Sequence, residues 1–144
     1  MTGTVTVNDV TFRLDRIANA WGKEHDHDTS WLTLVQLDDG GECEIMCRDK
    51  KVAEKTAQLI EAAVFTKADG KETHWLIVDT GTVESVDNAH DDRAATPWPN
   101  VVIAANGWER PYVMSSGVFR ALSEQVKANA GMDCAPVWMV QVVP

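Results

Sequence analysis

The stretch that decides the fold reads Trp31-Leu32-Thr33-Leu34-Val35-Gln36-Leu37, then Asp38-Asp39-Gly40-Gly41, then Glu42-Cys43-Glu44-Ile45-Met46-Cys47-Arg48-Asp49. The first segment is apolar and rich in strand formers. Asp38-Asp39-Gly40-Gly41 is a strong hairpin signal, because glycine adopts positive φ at little steric cost. The returning segment alternates, with Cys43, Ile45 and Cys47 on one face and Glu42, Glu44 and Met46 on the other. Asp49 then suits a helix N-cap. After it, Val52, Thr56, Leu59, Ile60 and Ala63 recur at helical spacing, opposite Lys50, Lys51, Glu54, Lys55 and Glu61. The unit at the centre of the chain is therefore hairpin followed by helix.

Upstream, residues 4–17 alternate: Val10, Phe12 and Leu14 point one way, Thr11, Arg13 and Asp15 the other. That predicts one long, half-buried strand, with a bulge near Asp15-Arg16 where Ile17 breaks the parity. Gly22 and the polar run Lys23-Glu24-His25-Asp26-His27-Asp28 predict a loop over 18–29.

Downstream, a second hairpin is expected around Asp69-Gly70, followed by strands His74 to Val78 and Thr82 to Val86 bent at Gly81. Residues 87–99 form a long acidic, proline-bearing loop. Val101 to Ala105 and Trp108 to Met114 flank Asn106-Gly107, a type I′ hairpin signal. Val118, Phe119, Leu122 and Val126 predict a second helix from about Gly117 to Ala130, capped by Ser115 or Ser116 and ended by Gly131. Val137 to Val143, apolar on both faces, predicts a central final strand.

This order (long bulged strand, hairpin, helix after the third strand, then Gly81-Thr82-Val83-Glu84-Ser85-Val86-Asp87 as a fourth strand) resembles the oligonucleotide/oligosaccharide-binding fold over residues 4–105. The expectation is an α+β single domain over 1–144. It is a small, mostly antiparallel barrel or strongly curved sheet with two helices. Residues 106–144 form a hairpin-helix-strand extension, and the hairpin at Asp69-Gly70 is surplus to the minimal barrel.

Composition bounds the function. The chain has 144 residues, a net charge of −9 and three cysteines. Residues 1–71 carry 9 basic and 13 acidic side chains, and residues 72–144 carry 4 and 9. An acidic balance opposes unspecific attraction to nucleic acid or anionic membranes. No apolar run is long enough to span a bilayer. No signal peptide is read at the N-terminus, and the expected compartment is the cytoplasm. Six tryptophans stand against one tyrosine and three phenylalanines, and an exposed tryptophan marks a binding surface.

Catalytic motifs are missing. The sequence holds no phosphate-binding glycine loop, no dinucleotide fingerprint and no nucleophile elbow around Ser115-Ser116-Gly117. Cys43 and Cys47, on a strand, lie about 13 Å apart and cannot chelate together. His25 and His27 could share a metal only with a third ligand from elsewhere. No cofactor is expected.

Three readings follow. The resemblance implies a non-enzymatic module binding single-stranded nucleic acid, with Arg13, Arg16, Trp31, Arg48, Lys50 and Lys51 supplying stacking and phosphate contacts. Asp15, Glu42 and Glu44 weaken that groove. The alternative is an acidic protein-binding inhibitor or adaptor using Trp98, Trp108, Asp91 and Asp92. The third is a small metal-dependent enzyme using His25 and His27.

Overall fold

A computed structural model describes residues 3–65, 72–88, 97–105, 107–130, 132 and 135–143. They form an α+β fold of two helices and ten strands, arranged in three mainly antiparallel sheets. Among the described residues no sheet closes into a barrel. The chain divides into two compact units, 1–77 and 78–144.

In the first unit, residues 4–17 are two strands rather than one. β1 (Thr4–Val7) and β2 (Val10–Arg13) pair antiparallel, with Val7 opposite Val10. Asn8, at φ 56°, turns the chain between them, a left-handed conformation asparagine tolerates better than most residues. β6 (His74–Asp79) runs parallel to β1 on its other side, from Thr4 opposite His74 to Val7 opposite Ile77. A 3₁₀ turn at Leu14–Arg16 leads out of β2.

The predicted loop over 18–29 is for the most part a strand. β3 (Ile17–Glu24) pairs with β4 (Trp31–Leu37) from Asn19 opposite Gln36 to Glu24 opposite Trp31, and the bulge falls between Ile17 and Asn19. Long-range pairing overrides the loop-like local composition. Gly22 has a packing reason: a Cβ there would stand 3.1 Å from the backbone nitrogen of Glu54.

β4 is central between β3 and β5 (Glu42–Cys47). Leu32, Thr33, Leu34 and Val35 are all buried, so the strand is covered on both faces. The hairpin turn is as expected: Gly40 sits at φ 88° and the Leu37 N–H donates to the Gly41 carbonyl at 2.8 Å. α1 (Lys50–Phe65) follows, and its cap is Asp49, whose Oδ1 accepts from the Val52 N–H at 2.9 Å. The helix buries Val52, Ala53, Thr56, Ala57, Ile60 and Ala63, and Thr33 donates across to the Ala53 carbonyl.

In the second unit, β7 (Val83–Asn88), β8 (Asn100–Ala105) and β9 (Trp108–Val113) form an antiparallel meander. Gly107, at φ 86°, serves the β8–β9 hairpin. α2 (Ser116–Asn129) packs against β7 and buries Leu122 and Val126. Ser115 caps it, Oγ accepting from the Val118 N–H at 3.2 Å. β10 (Val137–Gln141) is the terminal strand in the order of its sheet. That corrects the expectation of a central strand. Trp138 and Met139 are only half-buried, and beyond β10 the chain turns to β9, where the Val143 N–H donates to the Val113 carbonyl at 2.7 Å. The hairpin expected at Asp69-Gly70 and most of the acidic loop lie outside the described residues.

Candidate functional site

The six residues of the nucleic-acid reading all belong to the first unit, but β4 holds them apart. Trp31 starts the strand, opposite Cys47, with Arg48, Lys50 and Lys51 just beyond. Arg13 precedes the 3₁₀ turn and Arg16 ends it at the other end, where the Arg16 carbonyl accepts from the Asp38 N–H at 2.8 Å. Six residue steps of a strand separate the groups by about 20 Å.

Most of these cations already face a carboxylate. Arg13 Nη2 lies 2.7 Å from Asp15, Arg16 Nε lies 2.9 Å from Asp38, and Arg48 Nη1 lies 3.5 Å from Asp49. Lys50 Nζ is 3.9 Å from Glu54 Oε1 and 5.4 Å from the centre of the Trp31 ring. The exposed pairs of Arg13, Arg16 and Lys50 add about 0–1 kcal/mol each to stability. Their main effect is to cancel the positive field a phosphate chain would feel.

His25 and His27 come together in the β3–β4 loop, their ring centres 5.7 Å apart and edge-on. His25 Nδ1 accepts the His27 backbone N–H at 3.2 Å and lies 3.6 Å from Asp28. Hydrogen bonds from Ser30 hold the Asp28 carboxyl below its ordinary value of 3.8. Among the described residues no three His, Cys, Asp or Glu side chains are grouped to hold a metal ion.

Cys43 and Cys47 are both half-buried. Cys47 Sγ is 3.4 Å from Thr33 Oγ1, on the side covered by α1. Burial, and then the neighbouring Glu44, push the Cys43 thiol up from its ordinary 9.0. A small depression of about 160 Å³ lies between Ile17, Ala18 and Asn19 of β3 and Glu61, Val64 and Phe65 of α1. Glu61 is its one ionisable lining group, so it offers no acid–base pair.

Five of the six tryptophans are half-buried; Trp98 is 53% exposed. Its backbone is nonetheless held on both sides. The Pro97 carbonyl accepts from the Ser116 N–H at 2.9 Å, and the Pro99 carbonyl accepts from the Met114 N–H at 3.4 Å. Trp108 is half-buried opposite Ala105. Asp91 and Asp92 lie outside the described residues.

Sequence reading picked out Trp98 as a residue in a proline-flanked loop. It did not show that the β8–β9 ladder runs on past Asn100 to Pro99. No protein-family model, curated protein or solved structure matches the chain.

Proposed function

We propose that this chain is a non-enzymatic binding module that contacts a protein partner through a surface anchored on Trp98. The observation that supports the reading is the combination of an exposed ring and a fixed backbone. Pro97 and Pro99 limit φ, and two hydrogen bonds tie them to Ser116 at the start of α2 and to Met114 just after β9. An indole presented this way binds without first being ordered, which lowers the entropic cost of association. Tryptophan is among the commonest energetic anchors of protein interfaces. The test is photo-crosslinking in cells from a benzoylphenylalanine at position 98, with exposed Glu84 as control position. One protein should be captured from 98 and not from 84. Equal capture from both, or none from 98, rejects the reading.

A second reading keeps single-stranded nucleic acid as the ligand, on an OB-like face of the first unit. It is favoured by Lys50 standing over the Trp31 ring with Arg48 and Lys51 adjacent in sequence, and by the order of β3, β4, β5 and then α1. Stacking beside a cation is the chemistry of such sites. Fluorescence titration with oligothymidylate at low salt decides it. Quenching that disappears in Trp31→Ala and weakens steeply with salt supports it; the absence of quenching removes it.

A further inference from the structure

We infer that the sheet face carrying Trp98 takes a basic, apolar-bearing extended segment of a partner protein. The inference rests on the reading of Trp98 as a protein contact and names the chemistry of what it meets.

Side chains alternate along β8. Val101, Ile103 and Ala105 are buried at 0%, 0% and 5% exposure, so they face the core of the second unit. Pro99, also buried, extends the same parity because its carbonyl still pairs with Met114. Trp98, Asn100, Val102 and Ala104 therefore share the opposite face. On β9 that face is continued by Pro111 opposite Val102 and Val113 opposite Asn100. Val143 extends it one strand further, bridged to Val113 and 43% exposed. An apolar strip thus crosses the sheet with Trp98 at one end. Val102, Ala104 and Val113 are half-buried, and Pro111 is exposed.

The charge on this face has one sign. Asp87 of β7 lies opposite Val102, and Glu109 of β9 lies opposite Ala104. Both are exposed. Arg110, the basic residue of β9, is opposite Ile103 and so belongs to the other face. Among the described residues of the three strands, none on the Trp98 face is basic. Two strand spacings and two residue steps put Asp87 and Glu109 roughly 12 Å apart, on opposite sides of the apolar strip. In an extended peptide, residues four apart are separated by about 13 Å, and the residue midway points the same way. Two cations bracketing one apolar side chain match the two carboxylates and the strip between them. Complementary charge would select such a segment over an acidic one.

The probe is a synthetic peptide containing Lys-Ser-Leu-Ser-Lys, compared with its counterpart containing Glu-Ser-Leu-Ser-Glu. Binding is read as shifts of the methyl resonances of Val102, Val113 and Val143 and of the Trp98 indole resonance. The basic peptide should move all of these and bind about tenfold more tightly than the acidic one. The exposed double variant Asp87→Lys, Glu109→Lys should invert the preference. Equal binding of the two peptides at this face overturns the inference and leaves Trp98 as a protein contact. The same holds if neither peptide binds while position 98 still crosslinks a partner. If crosslinking from 98 fails as well, or if oligothymidylate moves these resonances instead, both the inference and the reading beneath it fall.

Discussion

The Thr33 hydroxyl donates a 2.8 Å hydrogen bond to the carbonyl of Ala53, twenty positions along the chain, and both residues are fully buried. The bond joins the middle strand of one sheet to the first turns of α1. A buried hydroxyl without a partner is costly, so Thr33 is tolerable in the core because α1 lies where it does. The polar atom thereby favours one placement of the helix on the sheet, next to the close approach of α1 to Gly22.

Replacing Thr33 by valine removes that bond and keeps the volume. A net loss of about 1 kcal/mol is expected, the usual contribution of an intramolecular hydrogen bond. A shift of the urea midpoint at constant m-value measures it. An unchanged midpoint would show that the bond adds nothing to holding α1.

Two glycines predict opposite signs for the same substitution. A Cβ on Gly3 would overlap the Thr73 carbonyl, and the chain there is pinned on two sides, Thr4 N–H to Thr73 at 2.9 Å and Leu14 N–H to the Gly3 carbonyl at 3.0 Å. Gly3→Ala should cost about 3 kcal/mol or prevent folding. Gly117, in the first turn of α2, meets nothing within 4 Å of the same added atom. Gly117→Ala should stabilise by about 0.5 kcal/mol, by restricting the unfolded chain. Thermal melts of the two variants give the comparison, and equal effects would contradict it.

What the sequence reveals here is local chemistry. The Asp38–Gly41 turn, the Asp49 cap and the Ser115 cap are legible because each acts through atoms two to three residues away. β3 is not legible, since Gly22, Lys23 and Glu24 are loop-like and only their register against β4 makes them a strand. The turn at Asn8 escapes notice because Asn8-Asp9 lacks the glycine that announces most two-residue hairpins. β10 misleads because apolar residues on both faces suit a central strand equally well. The candidate surfaces follow the same rule. Trp98 is conspicuous in sequence, but the face it shares with Val102 and Ala104 depends on pairing between Pro99 and Met114. The distance between Arg16 and Trp31 likewise depends on β4 being straight and fully paired.

The α2 cap permits a prediction with a built-in rescue. Ser115 accepts from the Val118 N–H, satisfying one of the donors a helix start leaves open. Ser115→Ala should lower stability by about 1 kcal/mol. Ser115→Asp should restore it, since a carboxylate caps and also meets the positive end of the helix dipole. Because Ser116 holds the Pro97 carbonyl next door, the alanine variant should also speed amide hydrogen exchange at Ser116. A loss of stability that aspartate fails to restore would assign the effect to packing instead of capping.

Cys43 predicts a pH dependence on the alkaline side. Burial, reinforced by Glu44, raises its thiol above the ordinary 9.0 in the folded protein. In the unfolded chain the thiol titrates near its ordinary value, so between the two values the folded state holds the extra proton. Stability must then fall with rising pH. The contribution is complete below about pH 9, declines above it, and is gone once pH passes the folded value. Cys43→Ala should therefore flatten the decline in urea midpoint above pH 9 and leave its slope near neutrality unchanged. Iodoacetamide supplies a direct check, because the thiolate is the reacting species. At pH 8, native Cys43 should be alkylated more slowly than the same residue in urea-unfolded protein, with the gap narrowing as pH rises beyond 9. Equal native and unfolded rates at pH 8 would mean that the half-buried position on β5 does not hold the proton.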